Sequence, residues 1–176
     1  IIITYNNWAY TQRCLDSVLR NSHYPDLEIV IVDNRSTDQT RKELKRLVLP
    51  NTKLVFSKTN LWFAGGNNRG MEQATGDILI LLNNDTEVTP DWVSGIVSAF
   101  TEGVGMVGPV TNFVGNDQIV PFFVGKENTP LSEVDLAALL IPHRGRRREV
   151  QRLGFYCVAI HRDVYEKVGP LDEGYE

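Results

Sequence analysis

Cysteine is scarce: Cys14 and Cys157 are the only two in 176 residues. That excludes a disulfide framework and a four-cysteine zinc site. Positive charge is not in excess either. The 18 Lys and Arg against 22 Asp and Glu leave a formal net charge of −4. Such a chain has no global attraction for nucleic acid or anionic lipid. Long apolar runs are missing: Ile78–Leu82 is strand-sized, far short of the roughly 18 residues of a membrane span. No basic stretch precedes the first apolar residues. A secretory leader is therefore not expected, and a cytoplasmic location is expected instead. The turn after the first apolar run, Thr4-Tyr5-Asn6-Asn7-Trp8, has no glycine. A dinucleotide fingerprint needs one there, which disfavours a hydride-transfer enzyme.

What is present is ordinary for a globular domain: 42% hydrophobic and 23% charged residues. At this length a folded chain buries about 70% of its extended surface, enough for a sizeable core. One domain is expected. The chain opens within the β-branched run Ile1-Ile2-Ile3-Thr4 and closes at Glu176 without a polar tail, so both ends read as cut.

Short apolar runs alternate with helical patterns. Ile1–Ile3, Leu27–Val32, Lys53–Phe56, Ile78–Leu82 and Val104–Val107 read as strands. Asn7 is expected to cap a helix burying Cys14, Leu15, Val18 and Leu19. Ser36 and Gln39 have capping-box spacing before a helix that turns Leu44, Leu47 and Val48 inward. Asn67–Ala74 reads as a helix stopped by Gly76, and Thr89-Pro90 as the start of another. Beyond residue 110 the signals weaken, apart from an apolar helix at Val134–Ile141, a strand at Phe155–Ile160 and a helix at Arg162–Val168. The alternation implies an α/β fold: a Rossmann-like, open, mostly parallel sheet with helices on both faces.

Ligands of such sheets bind beyond the carboxyl ends of the strands, which selects the turns Thr4–Trp8, Asp33–Asp38 and Asn83–Glu87. Asp33, at a buried strand end, suits a base or ribose contact, with Ser36 and Asp38 as caps. Asp85 follows a fully apolar strand, where a hard cation such as Mg²⁺ would compensate its charge. An Asn/Asp-rich β-turn is the plainer alternative. The one glycine cluster, Ala64–Gly70, lacks phosphate-loop spacing, yet its amides, a helix start and Arg69 suit a nucleotide. A nucleotidyltransferase would need a glycine-rich basic first turn, which is missing. His23, His143 and His161 lack metal-ligand spacing, and Phe63 is expected in the core.

Five strings occur in order: IIITYNN at 1–7, IVIVDNRSTD at 29–38, NLWFAGGNNRG at 60–70, DILILLNNDTEV at 77–88 and GFYCVAIHRDVYEKVGPLDE at 154–173. Together they resemble an inverting family-two glycosyltransferase of the GT-A fold, in its rhamnosyltransferase-like branch. The resemblance implies a nucleotide-sugar donor, a glycan or lipid-linked acceptor hydroxyl, and Mg²⁺ or Mn²⁺. It implies polysaccharide biosynthesis, with peripheral membrane association open to the full protein. Residues 1–110 would be the nucleotide-sugar part and 111–176 the start of the acceptor part. Thr4, Tyr5 and Asn6 would line the base pocket, and Asp33 would contact base or ribose. Asn68 and Arg69 would close the nucleotide site. Asn83-Asn84-Asp85 stands where the family carries Asp-x-Asp, so Asn84 would meet ribose or phosphate and Asp85 the metal. Asn83 departs from that pattern. Asp172 and Glu173 would border the acceptor, and the general base is expected beyond Glu176. A sugar-nucleotide-binding module without turnover is the alternative.

Overall fold

The computed structural model describes residues 1–112, 118 and 133–174. In chain order the elements are β1 (Ile2–Thr4), α1 (Trp8–Asn21), β2 (Ile29–Asp33), α2 (Thr40–Leu44), β3 (Thr52–Phe56), α3 (Trp62–Gln73) and β4 (Ile78–Asn83). They continue with α4 (Trp92–Val97), β5 (Met106–Val107), α5 (Glu133–Leu140), a 3-10 turn (Ile141–His143), β6 (Cys157–His161) and α6 (Arg162–Val168).

The sheet order is β3-β2-β1-β4-β6-β5. The first four strands are parallel; β6 runs antiparallel to β4, and β5 antiparallel to β6. The fifth strand therefore sits at the edge, reached through the sixth. The chain winds outward from β1 to β3, then returns to place β4 on the other side of β1. That reversal makes the β1–β4 boundary a topological switch point, the place where open α/β sheets bind their ligands.

Side-chain alternation sorts the core into two layers. Ile2, Ile29, Ile31 and Leu82 pack against Cys14, Leu15 and Val18 of α1, Leu44 of α2 and Ile96 of α4. Leu79, Leu81, Val158 and Ile160 pack on the opposite face with Met71 of α3, Val164 and Tyr165 of α6, and Leu171. Helices cover both faces, as the pattern implies. All five residues of β2 are buried, the mark of a central parallel strand.

Several local expectations are corrected. Asn7 stands at the start of α1 in left-handed conformation, φ 55°, without a side-chain cap. The Ser36–Gln39 capping box does not form: α2 begins later, and Asp38 Oδ1 accepts from Thr40 N at 2.9 Å instead. Ser36 Oγ is already engaged by the amide of Asn6, at 2.8 Å. Leu19 and Val48 are exposed, not turned inward; α2 ends at Leu44, so Val48 lies beyond the helix face that would have buried it. Asp91, not Thr89, precedes α4. Helix α3 starts five residues before the expected Asn67, so the glycine cluster lies inside it. Close approach explains this: a Cβ on Gly66 would stand 3.0 Å from Ile3 Cγ2, and one on Gly70 would run into Ile1. The glycines let α3 lie flat on β1. Phe63 is not core but 47% exposed, edge-to-face with Phe155 at 6.3 Å.

Candidate functional site

Three turns converge at the carboxyl edge of the parallel strands. Thr4, the last residue of β1, is fully buried, and its hydroxyl lies 2.7 Å from that of Thr11 on α1. Asn84, just past β4, directs its Nδ2 to Thr11 Oγ1 at 3.0 Å and Thr4 Oγ1 at 3.5 Å. This trio bridges β1 and β4 at the switch point. The donation leaves Asn84 Oδ1 without a protein donor among the described residues. Asp85 follows, exposed, its carboxylate in no ion pair among the described residues. Glu87 stands 3.8 Å from Arg13 in an exposed pair.

The β1 and β2 turns are laced together. Asn6 adopts φ 59°, and its Oδ1 accepts from the amides of Thr37 (2.7 Å) and Asp38 (3.3 Å). Asn tolerates left-handed backbone more readily than most other side chains. Tyr5, beside it, is 49% exposed. Asp33 is 1% exposed; Oδ1 accepts from Ser36 N at 3.0 Å and Oδ2 from Arg41 at 3.1 Å. Arg41 in turn lies over the Phe56 ring at 4.9 Å. Burial works against the Asp38 carboxylate, but hydrogen bonds from the Thr40 hydroxyl and amide and from the amides of Asn7 and Trp8 outweigh it. The pKa of Asp38 is therefore lowered.

Asn34 extends this edge to α3. Its Oδ1 accepts from Leu61 N at 2.8 Å, and its Nδ2 donates to Asn60 Oδ1 and the Trp62 carbonyl. Sequence reasoning misses Asn34; an Asn directly after a strand-ending Asp is the available signal. Asn68 lies deeper along α3, hydrogen-bonded to Leu171 and Glu173. Arg69 is on the outer face, paired with Glu72 at 2.9 Å. Asp172 is exposed and accepts from Gly174 N at 2.8 Å. The structure thus brings Thr4, Asn6, Asp33 and Asn84 to one edge with Asp85 beside them, and joins Asn68 to Glu173 separately.

Among the described residues no group of three His, Cys, Asp or Glu could hold a metal. Asp85 and the Asn84 amide oxygen are hard oxygen donors. One carboxylate fits Mg²⁺ or Mn²⁺ that takes its other ligands from phosphates and water. A hollow of about 380 Å³ lies at the opposite, amino edge, lined by Ile1, Tyr24, Ile29, Ile78 and Trp92 among others. No residue of these turns lines it. Among the described residues, no helix is long and apolar enough to cross a membrane.

The family model described as "Glycosyl transferase family 2" matches residues 1–169. An uncharacterized glycosyltransferase of Nostoc sp. is 31% identical over 98% of this chain and 53% of its own length. The O-antigen biosynthesis protein RfbC of Myxococcus xanthus is 30% identical over 100% of this chain and 15% of its own. This chain therefore spans about half of one relative and a small part of the other. A mannosyltransferase of Pyrobaculum calidifontis, solved with GDP-Man and Mn²⁺, superposes with TM-score 0.71 at 21% identity, over 98% of this chain and 46% of that one. TarS 1–349 of S. aureus gives TM-score 0.66 at 20% identity, over 99% of this chain and 50% of that one. The architecture is that of the GT-A enzymes.

Proposed function

Because the chain belongs to glycosyl transferase family 2, we propose that it carries the donor site of an inverting enzyme moving a sugar from a nucleotide sugar to a glycan or lipid-linked hydroxyl. The observation that carries this is the Asn84–Thr11–Thr4 bridge across β1 and β4, with Asp85 exposed beside it. GDP-Man and UDP-GlcNAc accompany the mannosyltransferase and a TarS structure. A hexosyl or rhamnosyl donor, a cytoplasmic site of action and a role in polysaccharide biosynthesis belong to the same reading.

In it, residues 1–110 hold the donor and 111–176 begin the acceptor side. Tyr5 supplies an exposed aromatic face for the base, with Thr4 and Asn6 shaping the floor. Through Ser36 N, Asp33 holds the turn that meets the base or ribose, and Arg41 balances its charge. Asp85 would hold Mg²⁺ or Mn²⁺, and Asn84 Oδ1 is left free to meet ribose or phosphate. When bound, the cation supplies Lewis acidity that offsets charge on the leaving group. The acceptor hydroxyl has a high pKa, so a general base must take its proton as the bond forms, worth about 10²–10⁴-fold. Attack opposite the leaving diphosphate inverts the anomeric centre.

Calorimetric titration with UDP and GDP, with and without Mn²⁺, tests the reading. Binding strengthened by Mn²⁺ is expected; folded protein that binds neither nucleotide under either condition overturns it. Asn83 and the lone carboxylate favour a second reading, a sugar-nucleotide-binding module without turnover. Donor binding with no hydrolysis or transfer across a broad acceptor screen would select it.

A further inference from the structure

Asn68 is 4% exposed, and its amide is consumed by protein. Oδ1 accepts from Leu171 N at 2.8 Å; Nδ2 donates to the Leu171 carbonyl at 2.9 Å and to Glu173 Oε1 at 2.7 Å. A side-chain amide has two protons, and both are used. The amide therefore reads both backbone groups of one residue, as a neighbouring strand would. It does so across more than a hundred positions of sequence.

The surroundings fit this contact. Leu171 packs in the apolar cluster with Met71 of α3 and Leu79 of β4. Gly169, at φ 94°, ends α6 and turns the chain toward α3. At Gly65 a Cβ would come within 3.2 Å of Glu173 Oε2 and 3.1 Å of Leu61 Cβ. Glycine there lets the carboxylate lie against the helix. From Leu171 to Glu173 the segment climbs α3 from Asn68 toward Gly65, one turn nearer the helix start. That start is tied by Asn34 to the turn after Asp33.

We propose that Asn68 and Glu173 form a clasp fixing residues 169–174 against α3, so that Asn68 is a positioning residue for this segment and not a nucleotide contact. The proposal rests on the donor-site reading only for what the segment serves: it is delivered to the edge where the donor binds. Asn34 and Asn68 hold α3 at two points, one to the donor turns and one to the segment bearing Asp172 and Glu173.

The test compares wild type, Asn68→Asp, Glu173→Ala, Glu173→Gln and the double variant Asn68→Asp/Glu173→Gln. Backbone amide exchange at 169–174 is read together with UDP and GDP affinity in Mn²⁺. Asn68→Asp sets two carboxylates together; exchange at Leu171 should rise at least tenfold, with nucleotide affinity within threefold. Glu173→Ala, at an exposed position, should fold and raise exchange several-fold. Glu173→Gln keeps the acceptor oxygen and should change little. The double variant exchanges the roles of the pair: the new amide at position 173 donates to the new carboxylate at position 68. It should recover part of the protection. Loss of nucleotide affinity in Asn68→Asp with exchange unchanged overturns the clasp, as does a double variant no better than the single. If wild type binds no nucleotide, the donor-site reading alone fails, and the exchange measurements still decide the clasp.

Discussion

Arg41 places a guanidinium nitrogen 3.1 Å from Asp33 Oδ2, and the two differ sharply in exposure: Asp33 is sealed while Arg41 is partly open to water. The pair tethers α2 to the end of β2 and compensates a buried carboxylate at the carboxyl edge of the sheet. Removing one partner of such a pair leaves an uncompensated charge. Arg41→Met should therefore destabilise the fold by about 2 kcal/mol, less than a fully buried pair because water reaches the guanidinium. Asp33→Asn keeps an acceptor for Ser36 N and should cost less. Urea unfolding of both variants, compared at unchanged m, checks the order.

Asp85 offers the opposite case. Its carboxylate is exposed and in no ion pair among the described residues, so Asp85→Asn should leave stability within about 0.5 kcal/mol. The Mn²⁺-dependent gain in UDP or GDP affinity should fall at least tenfold. A variant with stability unchanged and the Mn²⁺ effect intact would remove Asp85 from the metal role.

Gly66 inverts a familiar rule. Glycine to alanine inside a helix ordinarily gains about 1 kcal/mol. Here the new methyl would meet Ile3 Cγ2 at 3.0 Å and Asn34 Nδ2 at 3.3 Å, and overpacking costs about 1–3 kcal/mol. Gly66→Ala should be net destabilising by about 1 kcal/mol, whereas Gly95→Ala, with open space around it, should be stabilising. Thermal unfolding of the two variants separates them.

Burial pushes the thiols of Cys14 and Cys157 up to about 12. Folded, they keep their protons through about pH 10; unfolded, they ionise near about pH 8.5. The unfolded chain then binds fewer protons, so stability falls as pH rises above that value. About 1–2 kcal/mol per thiol should be lost between about pH 8 and pH 10, and Cys14→Ala/Cys157→Ala should flatten the slope. The folded protein should resist thiol reagents at about pH 8, read as labelling that appears only in denaturant.

Much of the fold is legible in the sequence because β2 and β4 are apolar enough to be buried on both faces, and α6 matches its sequence limits at Arg162–Val168. The α3 boundary is not legible. Its glycines lower helix propensity, and only the close approach to Ile3 explains why the helix runs through them. The capping box at Ser36 fails for a related reason: the hydroxyl it needs serves Asn6, a contact distant in sequence. The site turns are found because carboxyl-edge position follows from strand order. The Thr4–Thr11–Asn84 bridge stays hidden, because Thr11 looks like any helical threonine until β1 and β4 are set side by side. The resemblance sets Asn68 against the nucleotide; its partners lie more than a hundred residues away, beyond local pattern.

The antiparallel pairing of β5 with β6 bears on how this part of the chain could diversify. Val107 pairs with Ala159, so the stretch between β5 and β6 leaves and re-enters the sheet on adjacent strands. Its two ends are stapled together whatever it contains. Doubling such an excursion adds only about 0.6 kcal/mol of closure entropy. Length and content between β5 and β6 can thus change as in an interchangeable cassette, while the register of β1, β2 and β4 stays untouched.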